Sequence, residues 1–173
     1  MTFYTTMDSP LGELLLVGEE SATANGGTAL ASLSVPDQKG GASVQDGWGE
    51  AADAFAEITA QLCSYFDGGR TRFDIEHVER GSEFQHRVWK AIEAIPYGGT
   101  TTYGRIADRI GAPRSAVRSV GTAIGANPLL IVRPCHRVIG ADGSLTGYAG
   151  GLECKKQLLR HEGVAEGLAQ AAA

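Results

Sequence analysis

The chain of 173 residues is 43% hydrophobic and 20% charged and has a formal net charge of −5 at pH 7. Such a composition can bury a core in one domain or two small ones, and it excludes collagen-like, wholly disordered and solenoid proteins. No apolar run approaches the roughly 20 residues of a membrane-spanning helix, so we expect a cytoplasmic protein with no membrane partner. Three cysteines are too few for a disulfide framework, so a special cysteine would be special for its thiol.

The charges are divided unevenly between the two halves of the chain. Residues 1–79 carry 13 acidic and 3 basic side chains, whereas residues 80–173 carry 12 basic and 7 acidic ones. A basic half suits a surface that binds a polyanion, although an ordinary solvated surface has the same composition. We expect an N-terminal domain over 1–79, a C-terminal domain over 80–164 and a flexible tail over 165–173.

The N-terminal half starts with strand patterns. Apolar segments at Leu14–Val17 and Leu30–Val35 predict a β-hairpin, and the Gly-, Ala- and Ser-rich residues 21–49 predict a loop region with one short strand inside. Apolar residues spaced by three and four predict a helix over 50–66. Alternation from Phe73 to His77 predicts a closing strand.

The C-terminal half is mainly helical. Ser82 and Gln85 have the form of a capping box at the start of a helix that ends at Pro96–Gly99. Helices over 103–110 and 115–124, separated by a turn at Gly111–Arg114, form a helix-turn-helix pattern.

The segments that follow predict a wing and a last helix. Leu129–Val132 predicts a buried strand that ends before Pro134. Asp142-Gly143 predicts a hairpin between residues 138–139 and 144–145, which would form the wing. The last helix is predicted over 151–162.

The best candidate site is Pro134-Cys135-His136-Arg137, which joins a thiol, an imidazole and a guanidinium. A thiol reacts as the thiolate, and cationic or hydrogen-bonding neighbours lower its pKa. Successive side chains on a strand point to opposite faces, so a working pair requires the chain to turn, which Pro134 permits. A buried cysteine beside a surface histidine is the other interpretation.

Several short motifs between residues 80 and 163 occur together in the order found in one protein family. They are Arg80–Gln85, Ile95–Gly98, Thr102-Tyr103, Arg118–Gly121, Asn127-Pro128, Pro134–Gly140 and Gly147-Tyr148. This stretch closely resembles the O6-alkylguanine-DNA alkyltransferase family. The resemblance implies an α/β (α+β) fold with an N-terminal antiparallel-sheet-plus-helix (ribonuclease-H-like) domain and a C-terminal winged-helix-like, helix-turn-helix domain.

The resemblance also implies direct reversal of DNA alkylation, with Cys135 as the alkyl acceptor. His136 matches the histidine that takes the thiol proton through a bound water, and Glu162 matches the carboxylate that orients it. Tyr103 matches the donor to guanine N3, which in the family also contacts DNA by rotating a phosphate during flipping, and Asn127 matches the hinge asparagine. Because a thioether is not readily reversed, each molecule is expected to act once. No cofactor or metal is implied, since residues 1–79 lack a tetrahedral ligand set.

For DNA, Arg118 matches the arginine finger that replaces the flipped nucleotide, on a helix that enters the minor groove. The other expected contacts on or next to this helix are Ser115, Ser119, Gly121, Thr122 and Ala123. The expected pocket for the base consists of Pro134, Arg137, Val138, Tyr148 and Ala149. Two residues depart from the family pattern: Arg133 stands at a usually apolar position, and Ala149 replaces serine or glycine.

The expected partner is double-stranded DNA containing O6-alkylguanine, bound by a monomer. Action on O4-alkylthymine and cooperative binding along DNA stay open. One alternative is a non-catalytic homologue that binds alkylated DNA, but such relatives lack the acceptor cysteine. Others are a Cys-His hydrolase or acyltransferase, which would turn over repeatedly without DNA, and a winged-helix transcription factor, which would prefer a defined operator.

Overall fold

Two compact units make up the chain in the computed structural model, which describes residues 1–164. The first unit holds residues 1–80 and 128–132, and the second holds residues 81–127 and the described chain from Arg133 onward. The predicted C-terminal domain is therefore interrupted by the segment 128–132, which belongs to the first unit. The predicted tail over 165–173 lies outside the described residues.

A four-stranded sheet forms the first unit. Its strands are β1 (Thr2–Ser9), β2 (Gly12–Glu20), β3 (Thr28–Ser34) and β4 (Gly49–Glu50). Their order in the sheet is β3-β2-β1-β4, and β1, β2 and β3 are joined antiparallel, so the predicted hairpin is confirmed. Leu14, Leu16, Leu30 and Leu33 are fully buried, which forms the core of this unit.

Helix α1 (Ala56–Phe66) follows a short 3-10 turn and buries Ile58, Leu62 and Tyr65. The strand predicted from Phe73 to His77 is wrong, because this stretch has only an isolated bridge from His77 to Leu30 in the described chain. The backbone of Asp74 instead bonds to the side-chain amide of Gln61, at 2.8 and 2.9 Å. A buried side chain thus replaces the neighbouring strand as hydrogen-bond partner.

The second unit is built from helices α2 (Glu83–Glu93), α3 (Tyr103–Arg109), α4 (Val117–Gly125) and α5 (Leu152–His161). The capping box is confirmed: Gln85 N–H donates to Ser82 Oγ, and Ser82 N–H donates to Gln85 Oε1. The helix-turn-helix of α3 and α4 is also confirmed, with Gly111 at a φ of +72° in the turn.

The segments predicted as a buried strand and a wing take other forms. Residues 129–132 are buried, but only Leu129 bridges to a strand in the described chain, and Ile131 has a φ of +72°, which an extended chain cannot adopt. Strand β6 (Val138–Ile139) pairs in parallel with β5 (Thr101–Thr102). The turn at Asp142-Gly143 is present without a return strand, so the wing is a loop.

Candidate active site

The backbone turns at Cys135, as a working thiol and imidazole pair requires. Cys135–Arg137 form a single 3-10 turn immediately after Pro134, and the Arg137 N–H donates to Pro134 O at 3.0 Å. Cys135 and His136 therefore do not alternate across a strand, and both side chains point into the interior of the second unit.

The Cys135 thiol is 4% exposed and accepts a hydrogen bond from Asn127. Asn127 Nδ2 lies 3.2 Å from Cys135 Sγ and 3.0 Å from the Arg133 carbonyl oxygen. Burial raises the pKa of the Cys135 thiol to about 11, while the Asn127 hydrogen bond and the positive charges of Lys155 and Arg133 lower it. The resting group is a protonated thiol, which must lose its proton to become a nucleophile.

His136 is fully buried, and its Nε2 lies 2.8 Å from Glu162 Oε2. Arg137 donates from Nε to Glu162 Oε1 at 2.7 Å and from Nη2 to Glu162 Oε2 at 3.0 Å. A carboxylate held ionised by a guanidinium only accepts hydrogen bonds, so His136 Nε2 carries the hydrogen. His136 Nδ1 is then left with a lone pair.

The second ring nitrogen of His136, Nδ1, is placed to act as a base. Nδ1 is buried and has no hydrogen-bond partner among residues 1–164. Burial lowers the pKa of His136, although Glu162 acts in the opposite direction, so the ring is neutral at neutral pH. A neutral imidazole with a buried lone pair at Nδ1 can accept a proton.

The Arg137 guanidinium is fully engaged by neighbouring groups, and Glu162 is the main one. Besides the two bonds to Glu162, its Nη1 donates to the Ile95 carbonyl at 2.6 Å. Its guanidinium carbon lies 5.8 Å from the centre of the Tyr97 ring. The side chain is buried among these partners, and its place in the base pocket stays a prediction.

Lys155 is a buried cation for which the sequence predicted no role. Its Nζ donates to the carbonyl oxygens of Val138 at 2.6 Å, Thr146 at 3.0 Å and Gly147 at 3.2 Å. Burial lowers the pKa of Lys155 to about 8, while Cys135 acts to raise it. The amine is therefore mostly protonated, and so positively charged, at neutral pH. Helical spacing could have identified it, because Lys155 shares the buried face of α5 with Leu158 and Leu159, and the buried Glu162 follows at the C-cap of this helix.

Tyr103 also donates a hydrogen bond to the loop that contains Thr146 and Gly147. Its hydroxyl donates to the Thr146 carbonyl at 3.0 Å, so Thr146 O accepts from both Tyr103 and Lys155. Burial raises the pKa of Tyr103, so the phenol stays protonated and remains a donor. The expected pocket residues Tyr148 and Ala149 follow this loop and are half-buried, whereas Pro134 and Val138 are buried.

The residues expected to contact DNA differ in their exposure. Arg118, Ser119, Thr122 and the preceding Ser115 are exposed. Ala123 is buried, and its carbonyl accepts a hydrogen bond from Trp89 Nε1 at 2.8 Å, so its expected role as a DNA contact stays a prediction. Gly121 packs beside Tyr103: a Cβ added at this position would lie 3.8 Å from the Tyr103 ring.

Residues 1–164 contain neither a metal-type cluster of side chains nor a helix that could span a membrane. No cluster of three or more His, Cys, Asp or Glu side chains there has the arrangement of a metal site. No helix within those residues is both long and apolar enough to cross a bilayer.

The comparisons with known proteins cover nearly the whole chain. Residues 2–79 match the 6-O-methylguanine DNA methyltransferase ribonuclease-like domain, and residues 83–164 match the DNA binding domain of the same name. A methylated-DNA--protein-cysteine methyltransferase of Mycolicibacterium paratuberculosis is 52% identical, over 94% of this chain and 93% of its own length. One of Methanosarcina acetivorans is 44% identical, over 93% of this chain and 98% of its own length.

Solved structures give the same result. The crystal structure of Mycobacterium tuberculosis O6-methylguanine methyltransferase superposes with a TM-score of 0.80 at 47% identity, covering 94% of this chain and 93% of that one. The crystal structure of Mycobacterium tuberculosis OGT in complex with DNA superposes with a TM-score of 0.84 at 45% identity, covering 97% of this chain and 98% of that one. The predicted fold class is confirmed.

The buried ion pair yields a stability prediction. Glu162→Gln removes the negative charge from Arg137 and leaves a buried cation without its counterion, so we expect the free energy of unfolding to fall by about 3 kcal/mol. Guanidinium chloride unfolding followed by tryptophan fluorescence measures it. The control is Glu153→Gln on the same helix, where the carboxylate is 92% exposed and lies 3.9 Å from Lys156. Equal midpoints for the two variants would contradict the assigned importance of the pair.

Proposed function

The chain belongs to the 6-O-methylguanine DNA methyltransferase family, and from that premise we propose that it repairs O6-alkylguanine in double-stranded DNA by irreversible transfer of the alkyl group to Cys135. The observation that carries the proposal is a buried cysteine thiol next to a buried neutral imidazole in one 3-10 turn. Binding of DNA by the Mycobacterium tuberculosis relative supports the assignment of DNA as partner.

The transfer begins with removal of the thiol proton. His136 Nδ1 accepts the proton through a bound water, while Nε2 keeps its hydrogen bond to Glu162. As the proton leaves, the sulfur attacks the alkyl carbon, the S–C bond forms, and the bond from that carbon to O6 breaks. Asn127 and Lys155 favour the developing thiolate, one by a hydrogen bond and the other by its charge.

The leaving guanine keeps the electron pair of the broken bond and needs a hydrogen-bond donor. The Tyr103 phenol supplies it at guanine N3, after its hydroxyl releases the Thr146 carbonyl to which it donates in this structure. Lys155 still holds Thr146 when Tyr103 has moved, so the loop keeps one of its two attachments. The reaction ends in a thioether, whose alkyl group no side chain here can remove, so each molecule acts once.

The base is held largely by the backbone. The carbonyl oxygens of Cys135 and Val138 accept from the guanine amino group, Tyr148 forms one wall, and the backbone at Ala149 faces O6. Val138 O already accepts a hydrogen bond from Lys155, and the second lone pair of a carbonyl allows another donor. Lys155 therefore fixes one of the atoms that read the base.

The reacting carbon lies inside the duplex, so the nucleotide must be flipped out at a cost of a few kcal/mol. Arg118 is exposed on α4 and fills the gap in the base stack, with Ser119 and Thr122 exposed beside it. We further propose that the protein acts as a cytoplasmic monomer without a metal ion, since thiol, imidazole and amide supply the nucleophile, the base and the hydrogen bond.

A Cys-His hydrolase explains the site less well. Such an enzyme pairs its thiolate directly with an imidazolium. Here Asn127 donates to the sulfur, and His136 Nδ1 makes no hydrogen bond within residues 1–164. Burial also keeps the imidazole neutral and the thiol protonated.

The first prediction from this function concerns the product. Incubation with duplex DNA containing O6-methylguanine is expected to leave one added methyl group on the Cys135 peptide, measured by peptide mass spectrometry. Cys63, which is exposed, and Cys154 serve as internal controls and should stay unmodified. Cys135→Ser should abolish repair. Methyl on another cysteine, or lesion loss with an unchanged protein, would refute the mechanism.

The second prediction concerns base flipping. Arg118→Ala is expected to slow methyl transfer from duplex DNA by roughly 10- to 100-fold, because the unstacking cost is no longer offset. Transfer from the free O6-methylguanine base should change less than about twofold, since a free base needs no flipping. Single-turnover assays measure both rates. Arg160→Ala, which removes an exposed positive charge from α5, is the control. Equal losses on both substrates would exclude the finger role.

A further inference from the structure

Arg133 is a buried cation next to the reacting cysteine in sequence and in space. It is 4% exposed, so it is neither a solvated arginine at the end of a segment nor available to a DNA phosphate. Its guanidinium carbon lies 4.6 Å from the centre of the Trp89 ring. Trp89 is held in turn by its hydrogen bond to the Ala123 carbonyl, so the surface against which Arg133 stacks is rigid.

The guanidinium also faces the amide that contacts the sulfur. Arg133 Nη1 lies 3.5 Å from Asn127 Oδ1, a long charge–dipole contact. On the other end of the same amide, Nδ2 donates to Cys135 Sγ and to the Arg133 carbonyl. The negative end of the amide dipole therefore points to the cation and the positive end to the sulfur. A flipped amide would turn its NH₂ group toward the guanidinium and its oxygen toward the sulfur, which is unfavourable at both ends.

We propose that Arg133 is a positioning residue for alkyl transfer: its buried charge holds the Asn127 amide with Nδ2 toward Cys135 Sγ and, together with Lys155, favours the thiolate. This inference rests on the proposed function for its biological meaning. The effect on the sulfur itself does not depend on DNA.

Several other charged or titratable groups surround Cys135, and the effect of Arg133 on the thiol has to be separated from theirs. Lys155 on α5 contributes a positive charge, Tyr103 on α3 contributes a protonated phenol, and His136 is neutral. The positive charge of Arg137 is balanced by Glu162. Burial raises the pKa of the thiol to about 11, even though Asn127 above all, and Lys155 and Arg133 as well, act to lower it. Loss of Arg133 removes a positive charge that lowers the pKa of the thiol. It also frees the Asn127 amide to turn, which weakens the hydrogen bond to Cys135 Sγ.

The test measures the nucleophilicity of Cys135 toward iodoacetamide, a probe that needs no DNA. Rates of carbamidomethylation at the Cys135 peptide are followed by mass spectrometry from pH 7 to pH 9, where the thiolate is a minor species and the rate is proportional to its fraction. Arg133→Met keeps the length and removes the charge. We expect it to lower the rate by roughly 3- to 10-fold at every pH, which is a rise of about 0.5 to 1 unit in the thiol pKa.

Two further variants separate charge from packing. Arg133→Lys keeps a positive charge without the planar group and should recover part of the lost rate. Lys90→Met removes an exposed positive charge from α2, the helix that carries Trp89, and should react like the parent protein. Thermal unfolding confirms that each variant is folded. A folded Arg133→Met variant with the parent rate would overturn the inference, and so would an Arg133→Lys variant as slow as the Met variant.

A parallel assay keeps this inference separate from the proposed function. Methyl transfer from O6-methylguanine duplexes is measured at pH 7 on the same proteins, and the Met variant should lose the same 3- to 10-fold. If the parent protein transferred no methyl group, the proposed function would fail while the iodoacetamide rates still decided the role of Arg133.

Discussion

The buried pair between Arg137 and Glu162 is the interaction on which the candidate site depends. It joins the 3-10 turn that carries Cys135 to the end of α5, and through Ile95 to the segment after α2. Because Arg137 keeps the carboxylate ionised, Glu162 can only accept a hydrogen bond from His136. The pair therefore determines which nitrogen of His136 is free to act as a base.

Burial and charge act in opposite directions on the thiol. A dry environment raises the pKa of Cys135 and keeps water away from the nucleophile, but it also opposes formation of the thiolate. Lys155 and Arg133 offset part of that penalty with positive charges that are themselves buried. Lys155 also holds the backbone carbonyls of Val138, Thr146 and Gly147, so one cation both favours the thiolate and fixes two nearby segments of backbone. The resting thiol is thus a weak nucleophile until a base removes its proton.

Helices were more predictable than strands in this chain. The capping box at Ser82 and the glycine turn at Gly111 are local signals, and local hydrogen bonds satisfy them whatever the rest of the chain does. A strand needs a partner, which its own residues do not specify. Residues 73–77 bond to the Gln61 amide, and residues 129–132 are buried in the first unit with Ile131 in a left-handed conformation. The apolar residues in these segments correctly indicated burial for residues 129–132, but burial alone does not make a segment pair with a neighbouring strand.

The amino-acid sequence by itself determined the helix-turn-helix and the family, because these depend on local spacing and on motifs that occur together in order. For Cys135 the sequence showed only that Pro134 permits a turn, and the turn itself is seen in the structure. Tertiary structure alone decided what each charged side chain does. Arg137 holds Glu162, Lys155 holds three backbone carbonyls, and Arg133, which the sequence marks only as a departure from the family pattern, is buried against Trp89. The physical reason is that the energy of a charge depends on the groups that surround it in three dimensions, and those come from distant parts of the chain.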